Sequence, residues 1–295
     1  MKNKIGIISI DVDKLSDYAN LYGIESRGNQ VYERALPRVL ELLEKYGIKA
    51  TFFVVGRDGL QRENKEIIRA IARAGHEVAS HSMNHAHPFS SLAGKEKHAE
   101  ISDSKKLLSD ITGSEVVGFR APSYDIDKEG VDLLIQNNYL YDSSIVPSFL
   151  MRFFKLFGGI RTARKIPGFG SPSSYFSRPI PQLFPGKKLM EIPIGVCPYI
   201  RFPFYGTPIL LMGAKAFDLC YHLAKHRNNY FHYQLHAVEL NGIPEDQISE
   251  NFSVHPGLSI RLEKKLNLYD HIFKTITGEY DFLTIKSFIG KTELA

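Results

Sequence analysis

The chain of 295 residues has no tryptophan and two cysteines, Cys197 and Cys220. Two thiols cannot build a disulfide framework, so the fold must rest on buried apolar surface; the low count also suits a reducing compartment. No run of about 18 or more uncharged apolar residues occurs, so no transmembrane helix is expected. The opening MKNKIGIISIDVD starts like a signal peptide. Its apolar run is short, ends in two aspartates and lacks a small-residue cleavage site. It reads as a buried first strand, and a cytoplasmic protein is expected. Acidic residues are missing between Asp142 and Glu191, although Arg152, Lys155, Arg161, Arg164, Lys165, Arg178, Lys187 and Lys188 all fall there, interleaved with eight Phe or Tyr.

Hydrophobic residues make up 43% of the chain, enough for a sizeable core, and the net charge of +5 says little by itself. The pattern alternates. KIGIISIDVD, KATFFVVG, HEVASH, VVGFRAP, YLYDSS, KLMEIPI, YFHYQLHAV and YDFLTI read as strands. Segments such as VYERALPRVLELLEKYG, NKEIIRAIARAG and GLSIRLEKKLNLYDHIFKTI read as helices, several closed by glycine. Repeated strand–helix units imply parallel strands covered by helices, either a (β/α) barrel or a doubly wound sheet. Polar residues gather past strand ends: Asp11 and Asp13, His81 and His85, Arg120, His236. Convergence of those ends on one mouth favours a barrel. Regularity lapses over about 146–189, which reads as an insertion in one domain spanning 1–295.

Asp11 and Asp13, two apart on a strand, point the same way. Such a pair is either held apart by solvent, or one carboxylate binds a cation and leaves the other ionised as a base. His81 and His85 can converge on one ion if the chain turns after its strand, although a bare HxxxH more often marks surface or core histidines. His76 and His87 nearby dilute the signal. With a carboxylate from another strand end, the set suits Zn²⁺ and related ions, which polarise carbonyls and acidify water. Arg120 in GFRAPSYD reads as a structural salt bridge or as the residue that fixes Asp11 as base; the N–H of Ser123 could then face a developing oxyanion. His236 ends the last apolar strand and is either a core histidine or a proton donor to a leaving amine, with His232 a competitor.

Taken together, these segments resemble the polysaccharide deacetylase family, the NodB-homology carbohydrate esterases. SIDVD, SHSMNH, FRAPS and LHA look like four of its motifs in order, and ATFFVVG like its second strand; the resemblance covers about 4–142 and 190–240. It implies a distorted barrel of about seven strands. It also implies that Asp13, His81 and His85 hold one divalent metal, with zinc expected and cobalt, nickel or manganese as alternatives. Asp11 would be the general base, Arg120 its orienting partner and His236 the general acid. The reaction would be hydrolysis of an N-acyl group, acetyl or formyl, from an amino sugar. Two departures stand out: the family's tryptophan-bearing groove motif has no counterpart, and Ser123 stands where many members carry an aromatic.

The basic, aromatic insertion allows three readings: a face resting on an anionic bilayer, a polyanion groove, or a flap with its cations in water. Membrane contact through Arg152, Lys155, Arg161 and Arg164 is the expectation, with no nucleic acid partner. LHAVELNG looks like the last motif of a branch that acts on polyprenyl-phosphate-linked sugars at the inner face of the membrane, where Glu239 would contribute. A lipid-linked or envelope amino sugar is thus the expected substrate. The rivals are a soluble or polymeric glycan such as peptidoglycan, and a non-catalytic glycan-binding module.

Overall fold

The computed structural model describes residues 4–26, 28–150, 174–227 and 230–291. Most of the expected insertion, with Arg152, Lys155, Arg161 and Arg164, lies outside the described residues. Among the described residues, nine strands form one sheet: β1 Ile5–Val12, β2 Thr51–Val54, β3 Glu77–Ser80, β4 Gly118–Phe119, β5 Tyr141–Asp142, β6 Gln182–Leu183, β7 Met190–Glu191, β8 Tyr230–His236 and β9 Asp281–Phe282. Their order is β6-β7-β5-β4-β3-β2-β1-β8, with β9 also on β1. Every pairing is parallel except β6 with β7. The sheet curls into the expected distorted barrel rather than a flat doubly wound layer.

Parallel strands covered on both faces read as near-continuous apolar runs, and β1 is buried along almost its whole length. The edges meet through the chain after β7. The Pro193 carbonyl lies 2.9 Å from His232 Nδ1. A Cβ at Gly195 would stand 2.0 Å from the His232 carbonyl oxygen, so only glycine lets this segment run flush against β8.

Period-two alternation places Ile7, Ser9, Asp11 and Asp13 on the inner face in ascending layers. Ile7 clusters at the bottom with Phe53, Ala79, Tyr141, Ile285, Phe288 and Ile289. The last three belong to a helix, Ile285–Lys291, that plugs the N-terminal ends of the strands. This corrects the expected strand YDFLTI, which stops at Phe282. The Thr284 hydroxyl accepts from the Ser287 N–H at 3.1 Å, an N-cap that starts a helix there. Thr51 and Glu77, hydrogen-bonded to each other and to the start of this helix, complete the bottom, and the residues singled out in the sequence stand at the strands' C-terminal ends.

Candidate active site

β1 registers Asp11 opposite His236 of β8, and Asp13 lies just past its end. His81 follows β3, Arg120 follows β4 and Ser143 follows β5. The four strand ends singled out in the sequence do meet. Asp13 Oδ1 lies 3.2 Å from His81 Nε2 and 3.6 Å from His85 Nε2. Among the described residues, these three form a His/Cys/Asp/Glu group whose ligand atoms lie within 4.8 Å of one another.

Local geometry aims the group. His85 adopts φ 53, a left-handed conformation rare for a side-chain-bearing residue, and its N–H donates to Ser82 Oγ at 3.0 Å. That turn swings the second imidazole back over the first. His81 Nδ1 faces the Arg120 carbonyl at 2.8 Å; donating there leaves the Nε2 lone pair toward Asp13. The Tyr18 hydroxyl donates to Asp13 Oδ2 at 2.7 Å, while the buried Oδ1 has no hydrogen-bond partner. Burial alone would push the Asp13 carboxyl up, yet His85 and His81 hold it well below the usual carboxylate range. Burial likewise opposes charge on His81, but Asp13 and Asp11 outweigh it and push its pKa up, so a proton can take the place a cation would occupy. Burial keeps His85 below its ordinary value. A carboxylate oxygen and two imidazole lone pairs facing one point repel unless a cation lies between them, so these residues fit a divalent ion.

Beside this trio Arg120 is fully buried and ion-paired with Asp11. Its Nε donates to the Ser143 carbonyl at 2.8 Å, and Nη2 donates to Ser143 Oγ at 2.8 Å and Ser9 Oγ at 3.1 Å. The guanidinium lies 3.9 Å from the centre of the Phe53 ring. The other Asp11 oxygen accepts from Gln234 Nε2 at 3.2 Å and lies 3.7 Å from His236 Nε2. His232 sits two layers below His236, with Nε2 against Ser9 Oγ at 2.8 Å; burial and Arg120 hold it at about 3. Both its nitrogens are engaged, which makes it a neutral core histidine and not a rival proton donor.

His236 Nδ1 lies 3.5 Å from Glu239 Oε1. Burial alone would depress His236, but Glu239, then Asp11 and Asp13, push it up to about 9. Glu239 is fully buried and accepts from Thr207 and Tyr269 hydroxyls. A Cβ at Gly206 would come within 2.2 Å of it, so a glycine there opens the space. If His236 must be protonated to act, kcat/KM falls as pH rises through its pKa. Glu239→Gln should then shift that alkaline limb down by at least about one pH unit, as read from a pH–rate profile; an unmoved limb would separate the two residues. Ser123, with φ 54 and ψ 22, and Tyr124, with φ 58, turn through the left-handed region beside the site. The Tyr124 hydroxyl lies 3.5 Å from His236 Nε2.

Ser9 and Gln234 were findable, since each stands two residues before a singled-out residue on the same strand. Tyr18, Tyr124 and Ser143 carry no such signal.

The profile of the polysaccharide deacetylase family matches residues 28–141. A peptidoglycan deacetylase of Helicobacter pylori is 31% identical over 143 residues, covering 46% of this chain and 48% of that protein. Over this stretch the chain is similar to the polysaccharide deacetylase family. The profile match takes in His81, His85 and Arg120 but stops short of Asp11, Asp13 and His236 on either side. The alignments span about half the length of the curated relatives first matched. Two solved structures share the deacetylase fold at low identity. A provisionally named polysaccharide deacetylase of Mycobacterium smegmatis has a TM-score of 0.60 at 18% identity, covering 99% of this chain and 91% of that one. PuuE allantoinase has 0.62 at 14%, covering 99% and 92%. The second is named for a different substrate, so the deacetylase fold does not by itself choose the bond to be cut.

Proposed function

We propose that this protein is a metal-dependent hydrolase that removes an N-acyl group, acetyl or formyl, from an amino sugar on a lipid-linked or envelope glycan. The observation that carries the reading is the unpaired, buried Asp13 Oδ1 facing two imidazole Nε2 atoms, with the Asp11–Arg120 pair alongside. A divalent ion held by Asp13, His81 and His85, with zinc the best fit, would polarise the acyl oxygen as a Lewis acid. Asp11 takes a proton from the water that attacks the acyl carbon. Arg120 holds that carboxylate in place. The Ser123 N–H faces the oxygen on which charge develops. The C–N bond then breaks, and His236 gives its proton to the departing nitrogen. The products are a free amino sugar and acetate or formate.

A cleft of about 600 Å³ opens beside this centre, bounded by Tyr124, Ile126, Phe176, Arg178 and Leu183. Tyr124 thus touches both the cleft and His236. The lining also carries Lys128, Arg178 and Lys187 against Asp127 and Glu191, and this excess of cations beside apolar walls supports a sugar carried on a lipid phosphate over a neutral polymer. Peptidoglycan is the second reading, favoured by the name of the Helicobacter pylori relative. The test is acyl release from N-acylated polyprenyl-phosphate sugars and from peptidoglycan fragments, before and after chelation and zinc return. Release from the lipid-linked sugar that stops on chelation supports the first reading, and release from peptidoglycan alone the second. No release from either by zinc-loaded protein sinks both and leaves a non-catalytic module. No described helix is long and apolar enough to cross a membrane.

A further inference from the structure

Past β7 the chain leaves the sheet edge as a hairpin. Val196 bridges Pro203 antiparallel, and the Cys197 N–H donates to the Phe202 carbonyl at 2.8 Å. At its tip Tyr199 and Arg201 both adopt left-handed backbone, with φ 67 and 49. Such conformations persist in side-chain-bearing residues where the surroundings impose them, and they invite a functional explanation. Here the result is to turn Tyr199 and Ile200 outward, 73% and 55% exposed. Arg201 then donates from Nη1 to the Tyr175 and Ser177 carbonyls at 3.3 and 3.0 Å. Those carbonyls flank Phe176, itself 74% exposed. One guanidinium therefore holds three large apolar side chains together at the surface, where a lone exposed one would need no explanation.

Charge shows what covers them. Residues 143–217 hold ten Lys or Arg and one acid, Glu191, which is buried. The other 220 residues carry a net −4, since the chain totals +5. Arg178, Lys188 and Lys215 are exposed within the cationic stretch. The hairpin also adjoins the reaction centre. Its return arm runs into Tyr205, whose ring centroid lies 6.3 Å from that of Tyr124, beside His236.

We propose that the tip Tyr199–Ile200, with Phe176 and the exposed Arg178 two residues beyond it, is a ridge that inserts into the headgroup layer of an anionic phospholipid bilayer and turns the catalytic mouth toward it. Aromatic and aliphatic tips partition into the interface while cations meet lipid phosphates. A soluble anionic polymer would match the charge but gives no reason to expose Ile200. The ridge deepens the lipid-linked reading above, yet binding to bare vesicles can be measured without any substrate, so the two stand or fall separately.

The test is flotation of the full chain with liposomes of phosphatidylcholine alone or with about one-third phosphatidylglycerol, comparing wild type with Phe176→Ser/Tyr199→Ser/Ile200→Ser. Wild type should float with the anionic vesicles, float much less with neutral ones, and be released by 0.5 M salt, roughly. The triple variant should lose at least about tenfold in partitioning while keeping its circular dichroism and its thermal midpoint. The ridge is overturned if wild type stays unbound, if a folded triple variant floats equally well, or if the tip instead mediates self-association in sedimentation velocity without vesicle binding.

Discussion

Asp13→Asn should abolish binding of the proposed divalent ion and slow the proposed turnover roughly 10³-fold or more, about 4 kcal/mol of lost stabilisation. The argument rests on charge, because the side chains are nearly isosteric. The asparagine can still accept from Tyr18, so the turn at the end of β1 keeps its anchor. A neutral amide facing two imidazoles no longer supplies the anionic ligand that completes the set. Metal content after dialysis, measured by mass spectrometry alongside acyl release, checks both halves. Full zinc stoichiometry in the variant would mean that the ion lies elsewhere, and the proposed chemistry would fall with it.

The second large effect is on folding. Arg120→Met should destabilise the protein by roughly 3–5 kcal/mol, because it leaves the Asp11 carboxylate buried without its counter-charge. Both partners are almost wholly inaccessible to water, so solvent cannot compensate. The Ser9 and Ser143 hydroxyls lose a donor in the same step. Adding Asp11→Asn should restore much of the stability, since no uncompensated charge then remains, yet activity should stay absent for want of a base. Urea midpoints for the two single variants and the double variant form the cycle. If Arg120→Met alone keeps a near-native midpoint, water reaches Asp11 and the arginine is not what fixes it.

The barrel was legible because its signals are local. Apolar runs with polar residues at their ends mark parallel strands, and the 3–4 spacing marks the covering helices. The C-terminal strand misled because Ile285, Phe288 and Ile289 are apolar enough for either reading, and the Thr284 cap decides it only once Ser287 is in place. The membrane expectation at Arg152, Lys155, Arg161 and Arg164 falls outside the described residues, whereas Phe176, Tyr199 and Ile200 emerge only from the structure, since composition does not say which apolar residues the barrel absorbs. Neighbouring Ile209 and Leu210 are buried.

By itself the sequence determined that two aspartates, two histidines, an arginine and a further histidine stand at strand ends, and that Asp11 and Asp13 share a face, because side-chain alternation is a property of one strand. Which aspartate takes the arginine and which the imidazoles followed only from the family resemblance, not from alternation, and nothing in the sequence showed that His232 is spent on Ser9 and Pro193 while His236 meets Glu239. Those outcomes depend on interstrand register and on the curl of the sheet. The partners lie up to 223 residues apart in the chain, and only packing of the whole domain sets their separation.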